Sequence, residues 1–152
     1  MPRVSNRHRA ALSAAVVAVA ALLGGCAGFP ISDEDIPSAS DQELLQQINS
    51  DHATGEGRFF YDSSYRPRLI AELARRRSWS DDVSDGVLGR RIWVGMSTEQ
   101  LVASRGWPRS KTESVGRLGN HATWRYGSPS DTRLSIDVTD GVVTGWTTHS
   151  DR

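Results

Sequence analysis

The sequence predicts an α+β domain in which short N-terminal helices pack on a three- to four-stranded antiparallel sheet. Between residues 40 and 105 apolar residues recur at helical spacing behind serine caps. After Pro108 the chain turns to alternating Val, Ile, Thr and aromatic residues interrupted by Gly and Asp. The portion carrying these patterns is about 110 residues, enough for one domain with a modest core.

Ser40 and Glu43 have the spacing of a capping box, and Leu44, Leu45 and Ile48 follow on one face, so a helix is expected from Asp41 to Asn49. A turn-rich stretch from His52 to Gly57 then leads to the aromatic run Phe59-Phe60-Tyr61. Pro67 suits the first turn of a second helix, whose buried stripe is Leu69, Ile70 and Leu73. Arg75, Arg76 and Arg77 close that helix, where cations complement its dipole, and they read as a solvated face before a patch for lipid phosphate. A third helix starts behind Ser80, with Asp81 and Asp82 in the first turn, Val83, Val87 and Leu88 as apolar positions, and Gly89 as its stop. Trp79 is positioned to staple its entry.

Ser97 and Gln100 repeat the capping box and predict a helix from Thr98 to Arg105, with Leu101 and Val102 facing the core. Gly106 is expected in the left-handed position, and Pro108 prevents continuation. Strands are expected at 113–118, 121–126, 132–138 and 142–149. A two-residue Asp140-Gly141 turn would put Val142 and Trp146 opposite Leu134, Ile136 and Val138. A three-residue Thr139-Asp140-Gly141 loop puts Leu134, Ile136, Val138, Val142, Thr144 and Trp146 on one face and is preferred. Ala122, Trp124 and Tyr126 join that apolar face, leaving Thr123, Arg125, Ser135 and Asp137 on a polar one.

Ahead of the domain, Arg3, Arg7 and Arg9 precede an uncharged Ala/Val/Leu stretch from Ala10 to Leu23, which ends in Leu22-Leu23-Gly24-Gly25-Cys26. This is the layout of a lipoprotein signal, with cleavage expected before Cys26 and diacylglycerol on its sulfur. The stretch is shorter than the roughly 20 apolar residues of a spanning helix. Cys26 is the single cysteine of the chain, which excludes an internal disulfide. Residues 1–25 are therefore expected to be the signal, 26–39 a flexible tether, 40–89 a helical segment and 90–149 a helix-plus-sheet domain. Losing three signal arginines from 18 basic residues leaves 15 against 18 acidic ones, a net charge near −3. Nucleic acid is an unsuitable partner for such a surface.

The run from Val94 to Leu101 (Val-Gly-Met-Ser-Thr-Glu-Gln-Leu), Gly106-Trp107-Pro108, Trp124-Arg125-Tyr126 and the closing Asp140-Gly141-Val142-Val143 resemble the small lipoprotein domain of the BamE (SmpA/OmlA) family over Ile92 to Trp146. That resemblance implies a helical pair on an antiparallel sheet, hung from the periplasmic face of the outer membrane beside the β-barrel assembly machinery. The same pattern occurs in the β-lactamase inhibitor fold, so it speaks to fold before function. Ala27, rather than Asp, follows the cysteine, which by the enteric sorting rule favours the outer membrane. The expected role is a non-enzymatic component of outer-membrane protein assembly or envelope integrity, binding other envelope proteins and anionic lipid. The alternative is an anchored inhibitor or regulator of an envelope or extracellular hydrolase.

No catalytic pattern accompanies these features. His8 lies in the signal, and His52, His121 and His149 are isolated, so no metal ligand set is expected. There is no Gly-x-Ser-x-Gly, and Ser97 already serves as a cap. Gly55-x-Gly57 and Gly116-x-x-Gly119 lack the strand-to-helix setting of a phosphate loop. No cofactor is expected. Of the tryptophans at 79, 93, 107, 124 and 146, Trp124 and Trp146 have inward places on the sheet. Trp107 is the one expected outside, and with Arg105 and Arg109 it forms the candidate partner contact.

Overall fold

The computed structural model describes residues 30–50, 63–117, 119–128 and 131–149. The signal, Cys26, the 52–57 turn, the aromatic run 59–61 and Leu118 lie outside the described residues. Among those described, a short 3₁₀ turn, Ile36–Ser38, precedes four helices: α1 (Asp41–Ile48), α2 (Tyr65–Arg77), α3 (Asp81–Leu88) and α4 (Thr98–Arg105). Four strands follow: β1 (Ser110–Gly116), β2 (Gly119–Ser128), β3 (Asp131–Thr139) and β4 (Val142–Thr148). They form one antiparallel sheet in the order β1-β2-β3-β4. The architecture is α+β, helices before sheet.

Both capping boxes form. The Ser40 N–H donates to Glu43 Oε2 at 2.7 Å and the Glu43 N–H to Ser40 Oγ at 3.2 Å. The same reciprocal pair joins Ser97 and Gln100 at 2.9 and 3.2 Å. Each serine satisfies a helix-end donor, worth about 1 kcal/mol relative to alanine. Ser80 caps α3 by accepting from the Val83 N–H.

One core joins the helices and the sheet among the described residues. Leu44 and Ile48 of α1, Leu69, Ile70 and Leu73 of α2, Val87 of α3 and Leu101 of α4 are fully buried with Met96, Ile136 and Val143. The helical segment 40–89 therefore shares its core with the helix-plus-sheet segment 90–149. Ordered packing also begins before Ser40, against the expectation of a tether through residue 39. Ile36 belongs to the core, and Ile31 and Ala39 pack against it. The Ile31 N–H donates to Tyr65 Oη at 2.8 Å, and Tyr65 in turn donates to Gln47 Oε1 at 3.1 Å. Two apolar side chains spaced five apart among acids give no periodicity to read, so this strap was hidden in the sequence.

The last hairpin differs from both registers considered. Thr139 pairs with Val142 across a two-residue Asp140-Gly141 turn in which both residues have positive φ (48° and 80°). The ladder then shifts between Asp137 and Val138, because Thr144 is an extra residue on β4. The turn sends Val143 inward against Val138, and the bulge restores the phase so that Trp146 opposes Ile136. Val142 is consequently exposed, Thr144 lies outside, and Trp146 remains 43% exposed at the sheet's rim. Trp124 is buried as expected, and Thr123 Oγ1 donates to Asp137 Oδ1 at 3.0 Å on the polar face.

Two helix ends also depart from expectation. Gly89 has an ordinary φ of −75°, and Arg90 takes the left-handed conformation instead. Gly106 has φ +86° but ψ −175°, an extended mirror-image geometry rather than the left-handed helical one. Glycine is still needed there, since a Cβ would also lie 3.2 Å from Asn49 Oδ1.

Candidate interaction surface

The corner where α4 turns into the sheet holds Arg105, Trp107 and Arg109. It is held from two sides. Asn49, at the end of α1, donates through Nδ2 to the carbonyls of Leu45 (2.8 Å) and Val102 (3.1 Å), tying α1 to α4. From the sheet, Tyr126 Oη donates to the Gly106 carbonyl at 3.1 Å. Burial pushes the Tyr126 phenol well above its ordinary value, with Arg105 opposing, so it stays protonated as a donor. The chain leaves this clamp through Trp107 and rejoins the ladder where the Arg109 N–H donates to the Arg125 carbonyl at 2.9 Å. Trp107 is 60% exposed, and both arginines are exposed. The three expected contact residues thus follow one another from the last turn of α4 to the start of β1, with the indole exposed.

The arginines ending α2 do not form a free basic patch. Arg76 reaches across to the strap, donating to the carbonyls of Ile36 (3.2 Å), Pro37 (3.0 Å) and Ala39 (2.6 Å). It also pairs with Asp41 at 2.9 Å and Glu72 at 2.7 Å. Arg75 pairs with Glu72 at 2.8 Å, and Arg77 with Asp41 and Glu99 at 2.7 and 2.8 Å. Three cations meet three carboxylates. Hydrogen bonds from Arg75 and Arg76 hold the Glu72 carboxyl down at about 2. The expected solvated face is therefore corrected for Arg76, whose side chain is 20% exposed and serves as a staple.

Sequence reasoning missed Arg66. It sits in the first turn of α2, only 8% exposed, with no carboxylate beside it among its hydrogen-bond partners. Its guanidinium donates to Leu88 (3.1 Å) and Val87 (3.3 Å) at the end of α3, and to Ala103 (2.9 Å) and Ser104 (3.3 Å) at the end of α4. Two negative helix ends take the place of a counter-ion. Burial, with Arg90 adding to it, lowers this group to about 10, so it remains charged at neutral pH.

Among the described residues, the surface concavities include two beside the helices and the sheet. One of about 310 Å³ lies where β1 and β2 extend past the start of α4, between Thr98, Lys111, Glu113, Val115, Ala122 and Trp124. The other, about 370 Å³, is bounded by Asp82, Val83, Gly86, Arg91, Ile92 and Trp93. In the second, the Trp93 ring lies on Gly86 so closely that a Cβ there would meet it at 2.8 Å. His121 Nδ1 lies 3.1 Å from Thr139 Oγ1 on the open sheet face, and among the described residues no three His, Cys, Asp or Glu side chains cluster as a metal site.

The Val94-to-Leu101 run docks on the last hairpin. The Gly95 N–H donates to the Val143 carbonyl (2.9 Å), the Val143 N–H to Met96 (2.8 Å), and the Thr98 N–H to Gly141 (3.0 Å). Met96 is fully buried there. Among the described residues no helix is long and apolar enough to cross a membrane. Comparison with family models, curated proteins and solved structures gives no match.

Proposed function

We propose that this chain is a non-enzymatic envelope lipoprotein, anchored through acylated Cys26 on the periplasmic face of the outer membrane, that binds other envelope proteins as an accessory of outer-membrane protein assembly or envelope integrity. The observation that carries the reading is the Leu22-Leu23-Gly24-Gly25-Cys26 sequence behind a basic segment and an apolar stretch. Two or three acyl chains at about 0.8 kcal/mol per buried methylene hold a domain on a bilayer almost permanently. The order of helices before an antiparallel sheet is consistent with the BamE-like resemblance. The exposed Trp107, flanked by Arg105 and Arg109, has the composition of a protein-binding hot spot.

The test is a cross-linking pull-down of the chain from its own membranes, with Cys26→Ala as control and mass spectrometry of the partners. Recovery of β-barrel assembly components that disappears in the control supports the reading. Enrichment of a single hydrolase would replace it with an anchored inhibitor, and an unmodified Cys26 would remove the anchor.

A further inference from the structure

The two edges of the sheet are unlike. At β4 the edge is broken by the Thr144 bulge, and Gly95 to Ser97 occupy its start. At β1 the strand pairs with β2 without a register shift, has no proline, is exposed along its whole length, and among the described residues has no strand on its other side. A straight, open edge is a template for another strand. Its side chains restrict which strand fits.

Lys111 and Glu113 lie opposite Trp124 and Ala122, on the helix-side face, while Thr112 and Ser114 lie opposite Thr123 and His121 on the open face. Antiparallel addition of a second β1 about a two-fold axis keeps the faces matched only when the axis passes through a residue. Centring on Lys111 sets lysine against lysine, and centring on Glu113 sets glutamate against glutamate. Centring on Thr112 sets Lys111 against Glu113 of the other copy twice over, with Ser110 against Ser114. It also brings the stem of Arg109 over Val115, at 81% the most exposed large apolar side chain among the described residues. Lys111 is the sole lysine of the chain and now pairs with Glu113 within the strand at 2.7 Å. We propose that β1 is a homodimer edge on which two copies join through a Thr112-centred antiparallel pairing, making one continuous eight-stranded sheet. The charges that repel an apolar strand accept their own copy. The pairing uses the edge alone, and anchoring at Cys26 would act only by concentrating the chains.

The experiment is copper-catalysed disulfide formation in membranes carrying the full chain, comparing Thr112→Cys with Thr147→Cys on exposed β4 and subtracting the wild-type background of Cys26. A short thiol-to-thiol cross-linker is run in parallel to relieve the disulfide's geometric demand. Covalent dimer is expected at position 112 about tenfold above position 147, to fall about tenfold with added Lys111→Glu, and to return when Glu113→Lys is added to that variant. Equal yields at 112 and 147, or yields indifferent to the charge reversal, overturn the proposal. The mass of Cys26 in the same preparation reports the anchor separately, so an unmodified cysteine refutes anchoring without touching the comparison of edges.

Discussion

Removing the Arg66 guanidinium while keeping its apolar stem, as in Arg66→Met, should unlock the ends of α3 and α4 together. The donors lost face four carbonyls. Val87 also accepts the Arg90 N–H at 3.1 Å, so the largest losses fall on Leu88, Ala103 and Ser104. A hydrogen bond to a charged group contributes about 1.5–3 kcal/mol, and the guanidinium's own desolvation is recovered on removal, leaving a net loss of about 3–4 kcal/mol. Arg66→Lys, a compact ammonium without the planar fork, can serve one helix end and should lose about half as much. Against a total stability of about 5–15 kcal/mol this is large, and urea unfolding followed by tryptophan fluorescence and far-ultraviolet circular dichroism will register it as a lower midpoint at constant slope. An Arg66→Met protein within about 1 kcal/mol of the wild type would refute the reasoning, because it would show that the carbonyls of Leu88, Ala103 and Ser104 lose nothing with their donor.

The Glu72 carboxyl is held at about 2 against an ordinary 4.5, so its stabilising contribution is complete above 4.5 and is lost as pH falls toward 2. Melting temperature should therefore fall over that window, and Glu72→Gln should flatten the acid limb; an unchanged limb would show the arginine pairs idle. Gly86→Ala should destabilise by about 1–3 kcal/mol through overpacking on Trp93, although alanine is the better helix former by about 1 kcal/mol. In a Trp93→Ala background the same change should become stabilising, and a sign that stays the same in calorimetry would remove the clash as cause. Trp107→Ala should leave the unfolding free energy from urea within about 0.5 kcal/mol of the wild type yet reduce recovery of partners in the pull-down. Unchanged recovery would take the indole out of the interface.

What the sequence reveals here is what repeats locally. The serine caps at 40, 80 and 97 and the apolar stripes of α1, α2 and α4 depend on neighbours a few positions apart, and they lie where expected. Trp107 was legible because a residue between a helix-ending glycine and a proline has little structure to bury it. β1 was displaced because Ser110–Gly116 has no buried side chain, hence no alternation. The hairpin failed for a different reason: a bulge and a two-residue turn together put Trp146 on the same face of the sheet as a longer loop would, so face alone does not identify the turn. Arg66 was invisible because its partners are main-chain carbonyls far along the chain, and backbone atoms leave no mark in a sequence.

The strap from Ile31 to Ser38 sets a length. With Cys26 acylated, the chain between the lipid and the first packed residue spans at most five residues, about 17 Å when fully drawn out. A tether running to Ser40 would have given the domain more than twice that radius. If Cys26 carries lipid as proposed, the shorter leash would hold the domain close to the bilayer surface. Under that anchoring, a partner engaging Trp107 would have to come to the membrane to meet it, and two copies would meet as neighbours in a plane rather than as bodies tumbling in three dimensions.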